Sequence, residues 1–231
     1  MNFLAHFHLA WPDEGLVAGG LEGDYYKGPL RGDLPGAIER GVRLHRAIDA
    51  YTDSHPLIQQ MRQEFSGGMR RYAGILIDLS FDHYLSKHWH NYSHIPLARF
   101  NEAIYRTLQS RQHDLSADSR RMLARMVEYD ILGLYLDWDT VPASANRIGQ
   151  RFRRHNPFTE VEQELDAARA MLEQTFLAFY PQLRSFSYEQ GKMLLPSTPG
   201  AAAPGAAAPG AAAPGTTAPG PANVALAPKS P

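Results

Sequence analysis

Two helical stripes that begin apolar and turn ionisable limit how this chain can fold. Ile38, Val42, His45, Asp49 and Thr52 step by four, three, four and three residues, and Ile75, Asp78, Asp82, Leu85 and Trp89 step by three, four, three and four. Such spacing stacks side chains on one face of an α-helix, the face that turns to the core. Imidazoles and carboxylates buried there without partners cost several kcal/mol, so both stripes ask for a shared cation or for hydrogen-bond donors in the interior. For the first stripe the plainer alternative is an internal hydrogen bond from His45 to Asp49, with Asp53 closing the helix before His55 and Pro56.

The rest of the chain is read around these two helices. His6 and His8 stand in an apolar segment, residues 2 to 10, that suits either a short helix or an extended piece; if helical, the two rings diverge by more than a right angle. Residues 15 to 28 are rich in glycine without the spacing of a phosphate loop, which points to close backbone approach, and Asp24 is the acid flanked by Gly23 and a Tyr pair. A turn-rich link over 29 to 35 leads to the first striped helix, expected over 36 to 54, and a short helix follows over 57 to 66. The second striped helix is expected from Met69 to about Tyr92, with His83, His88, His90 and His94 on or beside it. Helices are also expected near 97 to 113, 116 to 136, 142 to 154 and 158 to 188, with Ser116 and Thr159 as N-caps. No stretch alternates with period two, so the expected fold is all-α, one helical domain over residues 1 to 195. From Pro196 to Pro231 the Pro-Gly-Ala repeats cannot bury enough apolar area to offset chain entropy, and a disordered tail is expected.

Composition narrows the chemistry. With 23 Lys and Arg against 24 Asp and Glu, the net charge of −1 gives no global field for nucleic acid or a membrane surface. The absence of cysteine removes disulfides, thiolate zinc sites and a Cys nucleophile together. A metal site must then use His and carboxylates, ligands that suit Mn²⁺, Mg²⁺, Fe²⁺ or Zn²⁺. No apolar run approaches the about eighteen residues of a membrane span, and the first residues lack the basic start of a signal peptide, so a cytoplasmic protein is expected. Eight of the ten histidines precede residue 95, in company with Asp24, Asp49, Asp53, Asp78 and Asp82. That clustering points to a His/Asp metal site between helices and, as a reaction class, to metal-assisted phosphoester hydrolysis.

Three motifs also carry a resemblance. Met-Asn-Phe-Leu-Ala-His-Phe-His-Leu-Ala at the start, Leu44-His-Arg-Ala-Ile-Asp-Ala-Tyr-Thr-Asp-Ser-His-Pro56, and Asp78-Leu-Ser-Phe-Asp-His-Tyr-Leu-Ser-Lys-His-Trp89 together resemble the acyl carrier protein phosphodiesterases over roughly residues 1 to 190. That family is related to the HD-type metal-dependent phosphohydrolases. Here the adjacent pair Asp82-His83 has the reverse order, and Gly19-Gly20 stand where Gly-Asn is expected. The resemblance implies an all-helical, HD-like fold and hydrolysis of the phosphodiester that joins 4'-phosphopantetheine to a serine of holo-acyl carrier protein, giving the apo protein, in fatty acid biosynthesis. It implies a divalent metal, Mn²⁺ first, with His6, Asp24, His45, Asp49 and Asp82 as ligand candidates. Catalytic candidates are Asp24, His45, Asp49, Asp82 and His83, and His8, Asp53, His55, Asp78 and His83 are candidates for orienting ligands or moving protons.

The partner implied is the acidic holo carrier protein, which Arg40, Arg43 and Arg46, or Arg62, Arg70 and Arg71, would meet. Four arginines in residues 147 to 154 have no place beside the metal that the sequence can assign. Two other functions keep the same residues: a phosphohydrolase of nucleotides or other small phosphoesters, and a non-enzymatic helical module that binds carrier protein.

Overall fold

The computed structural model describes residues 2–152 and 157–194, and these form ten α-helices with no strand among the described residues. The fold is all-α, as the lack of period-two alternation predicts. Residues 196 to 231, the expected disordered tail, lie outside the described residues.

The first striped segment is α3 as numbered along the chain, Gly36–Ser54, and its stripe is the buried face: Ile38, Val42, His45 and Thr52 are all enclosed. Before it come α1 (Phe3–Ala10) and α2 (Glu14–Glu22). The helical reading of residues 2 to 10 is thus the correct one, and His6 and His8 turn to different sides. The helix at α2 was not anticipated, because each interior glycine disfavours a helix by about 0.8–1 kcal/mol. Packing supplies the reason: a Cβ on Gly19 would stand 2.3 Å from the Ile38 carbonyl oxygen and 2.5 Å from the Gly41 Cα. The two backbones cross where neither has a side chain, which is the close approach the glycines suggested.

The second striped segment is shorter than expected. A 3₁₀ turn at Arg70–Tyr72 precedes α5 (Ala73–Lys87), and another at Trp89–Asn91 follows it. Every residue from Leu79 to Ser86 is buried, so α5 is enclosed on all sides and forms the centre of the bundle. Around it stand α4 (Pro56–Gln63), α6 (Leu97–Ser110), α7 (Ala117–Glu128), α8 (Ile131–Leu134), α9 (Thr140–Gly149) and α10 (Val161–Leu194). Ser116 caps α7 as expected, accepting the Ser119 amide, whereas α10 opens at Val161, two residues after Thr159.

The single helix expected over 116 to 136 is broken at Asp130, whose φ of 45° is left-handed. Aspartate tolerates that conformation, and here its carboxylate accepts both the Gly133 amide and the Tyr105 hydroxyl. At the end of α2, the buried Glu22 accepts the Ser116 amide, which ties the Asp24 segment to α7. No helix among the described residues is long and apolar enough to cross a membrane.

Candidate metal centre

The site is assembled from α1 and α3. An eight-residue helix has little stability of its own, and Asn2 gives α1 no side-chain cap. The cap comes from α5 instead: Leu4 and Ala5 donate their amides to the two carboxylate oxygens of Asp82, at 2.8 and 3.1 Å. A carboxylate at a helix N-terminus meets both unsatisfied amides and the positive end of the helix dipole. Asp82 is completely enclosed, and burial pushes its carboxyl up to about 7 even though the two amides favour the ion. The helix held in this way directs His6 onto α3.

There His6 meets His45 and Asp49. Asp49 lies between the imidazoles, with Oδ1 3.2 Å from His6 Nε2 and Oδ2 3.1 Å from His45 Nε2. The two rings stack at 4.0 Å between centroids and 17° between planes. One ligand atom from each of the three residues lies within 4.8 Å of the other two. Asp24, at the end of the glycine-rich segment, brings Oδ1 to 3.9 Å from His45 Nε2. Gly23 makes this possible, since a Cβ there would stand 2.4 Å from the Cγ of His45.

Both rings are buried, whereas the side chains of Asp24 and Asp49 are each 42% exposed, so the acids face outward from an imidazole floor. Burial, and then the neighbouring His45, push His6 down to about 3, which keeps it neutral. Burial alone would raise Asp49, but the imidazoles beside it outweigh that and hold the carboxyl well below the usual carboxylate range. Burial raises Asp24 above its ordinary value, and His45 draws it partly back.

The donor set fits a divalent ion. Nδ1 of His6 and Nδ1 of His45 are buried with no hydrogen-bond partner among the described residues, while each Nε2 faces Asp49. Buried polar atoms are rarely left so, and two neutral imidazoles with a carboxylate are ordinary ligands of Mn²⁺, Fe²⁺ or Zn²⁺.

The other residues picked out by sequence have different surroundings. Asp82 is engaged with α1 and stands outside the His6, His45 and Asp49 group. Nδ1 of His83 donates to the Tyr135 carbonyl at 3.0 Å, and its ring packs edge-on against Trp138. Burial is the main cause that lowers its pKa. Asp78 is half-buried on α5, and burial raises its carboxyl. His8 turns away to hydrogen-bond the Tyr180 hydroxyl at 2.7 Å. Asp53 pairs with Arg62, and His55 caps α4 by accepting the Leu57 amide.

Two of the arginines of α3, Arg43 and Arg46, are also engaged. Arg46 donates to the Tyr26 and Gly28 carbonyls, both at 2.9 Å, so it pins the segment that follows Asp24. Arg43 pairs with Glu39. The cations that do face the site come from elsewhere: Arg125 of α7, Arg147 of α9 and Arg151 line a cavity that has Asp24 in its wall. The sequence held their charge but no signal of their position, which depends on α9 packing against α5.

Comparison with known proteins agrees with these motifs. The family model described as acyl carrier protein phosphodiesterase matches residues 1–183. The chain is similar to a protein named acyl carrier protein phosphodiesterase from Escherichia coli O6:H1, 32% identical over 190 residues that cover 79% of this chain and 95% of the relative. A protein of the same name from Klebsiella pneumoniae strain 342 is 32% identical over 188 residues, again 79% of this chain and 95% of the relative. No solved structure matches.

Proposed function

Because the chain belongs to the acyl carrier protein phosphodiesterase family, we propose that it is an enzyme that hydrolyses holo-acyl carrier protein to the apo protein and 4'-phosphopantetheine. Water adds to phosphorus, the bond from phosphorus to the serine oxygen breaks, and the serine hydroxyl is restored. The observation that carries this reading is the buried pair His6 and His45 sharing Asp49, each with an Nδ1 that has no hydrogen-bond partner among the described residues.

His6, His45 and Asp49 would hold a divalent ion, Mn²⁺ first, with Asp24 beside them. When bound, such an ion acidifies water and offsets charge on a phosphoryl oxygen. The neutral imidazole of His6 offers a lone pair at neutral pH. Asp24, outward-facing and with a carboxyl that burial makes more basic than usual, is suited to take a proton from the attacking water. Asp82 acts through α1, as the residue that positions His6. The chemistry is assigned to residues 1 to 195, since residues 196 to 231 hold no His, Asp or Glu.

The test is release of 4'-phosphopantetheine from holo carrier protein, with and without excess chelator. Release that depends on added Mn²⁺ upholds the proposal. Equal release by protein shown to be metal-free removes the ion from it, and no release under any condition removes the reaction.

A further inference from the structure

Next to the His6, His45 and Asp49 group, and sharing Asp24 with it, is a cavity of about 340 Å³. Three guanidinium groups line it, Arg125, Arg147 and Arg151, drawn from α7, α9 and the residues just beyond α9. Among the described residues none of the three has a carboxylate partner, whereas Arg43, Arg62, Arg99, Arg111 and Arg121 each have one. Arg147 donates to the Ser144 hydroxyl at 3.0 Å. Three cations gathered around one half-exposed acid leave a local positive excess in a chain whose net charge is −1. Guanidinium groups match phosphoryl oxygens in geometry as well as in sign.

The remaining wall has the opposite character. Phe3, Leu79, Met122, Ile131 and Ile148 form an apolar side, and polar groups are few among them. The Tyr135 hydroxyl, which accepts a hydrogen bond from the Asn2 amide at 2.9 Å, is one. A volume of this size lies at the low end of about 300–1,000 Å³ for small-molecule sites. An apolar wall with a few hydrogen-bonding groups, basic at one side and bordered by the ligand cluster, suits a slender, mostly uncharged chain ending in a phosphate.

We infer that this cavity seats the phosphopantetheinyl arm of the substrate, with Arg125, Arg147 and Arg151 receiving its phosphate. The inference rests on the proposed function and adds what the active centre alone lacks, a reason for the arm to be held. The carrier protein would then be met by its prosthetic group first, and the three arginines are substrate-binding residues.

The experiment measures binding as well as turnover. The Mn²⁺-loaded enzyme and its Arg125→Ala, Arg147→Ala and Arg151→Ala variants are titrated calorimetrically with 4'-phosphopantetheine and with pantetheine, which lacks the phosphate. Arg99→Ala, away from the cavity and paired with Glu102, serves as the control. The expected result is about tenfold weaker binding of the phosphorylated compound for each cavity variant, the usual loss of a charge-assisted hydrogen bond, with pantetheine binding and melting temperature little changed.

If KM for holo carrier protein rises in the variants while affinity for 4'-phosphopantetheine stays the same, the arginines meet the carrier protein's surface and the inference is wrong. If wild-type enzyme releases nothing from holo carrier protein, it is the proposed function that falls. The calorimetry then decides the cavity separately: affinity lost with the arginines upholds a phosphate seat, and unchanged affinity removes it.

Discussion

His6 and His45, on separate helices, lie face to face with 4.0 Å between their ring centroids. Two unit charges about 4 Å apart repel by about 4 kcal/mol at an effective dielectric constant of about 20, so the stack excludes double protonation. The stack thus disfavours a second proton beside Asp49, and acid and metal must compete for the His6 lone pair.

Mn²⁺ binding, followed by calorimetry, is expected to weaken as pH falls toward about 3, where His6 takes up a proton that competes with the ion. His6→Ala and His45→Ala should each reduce affinity by at least about tenfold, or ~1.4 kcal/mol. Unchanged affinity in both variants would show that the ion binds elsewhere.

Asp82→Asn is expected to destabilise the fold by about 1–3 kcal/mol, because one of two accepting oxygens becomes an NH₂ group pointed at a backbone amide. Urea unfolding measures this. Turnover should fall further than stability accounts for, as α1 loosens and His6 with it. A variant as stable and as active as wild type would mean that α1 is held by packing alone.

Gly23→Ala tests the room left for His45. The new methyl would stand 2.4 Å from the imidazole, too close for any ordinary contact, so the ring has to move away from Asp24 and Asp49. Mn²⁺ affinity should drop by about tenfold or more while most of the helical circular dichroism remains. Wild-type affinity in this variant would mean that the ring adapts without cost to the ligand set.

Acid lability is expected from the opposite end of α1. Burial, and then Arg184, push His8 down to about 4, whereas in the unfolded chain it titrates near 6.5. Between those values the unfolded state binds a proton that the folded state refuses, so stability falls as pH falls from 6.5 toward 4 and is fully present above 6.5. His6, pushed down to about 3, adds to the trend with the same sign. Each contributes a slope of at most about 1.4 kcal/mol per pH unit. Thermal melts of His8→Gln against wild type over this range should show a shallower fall, and parallel curves would rule His8 out.

The first striped helix could be read from sequence because its burial is one-sided enough along 38 to 52 to imprint a period, whereas α5, enclosed on all sides, stood out by the acids Asp78 and Asp82 set among apolar residues. α2 could not be read, since Gly15, Gly19 and Gly20 weaken the helix locally and only the crossing with Gly41 restores it. His6, His45, Asp49 and Asp24 were legible as ionisable groups in apolar or glycine-rich settings. Asp82 shows the limit of the method: its spacing is that of a ligand, and nothing local distinguishes a carboxylate that caps a distant helix from one that faces an ion. Arg125, Arg147 and Arg151 show another, because periodicity assigns a residue to a face of its own helix but not to a neighbour.

The borrowed cap of α1 has a consequence for the order in which the protein is made. Leu4 and Ala5 leave the ribosome before Asp82, and His8 before Tyr180, so during translation α1 has neither its cap nor its hydrogen-bond partner. The candidate ligand His6 rides on this helix, whose last hydrogen-bond partner comes with α10. A growing chain therefore brings His6 firmly beside His45 and Asp49 only late, after the segments that hold α1 have been made.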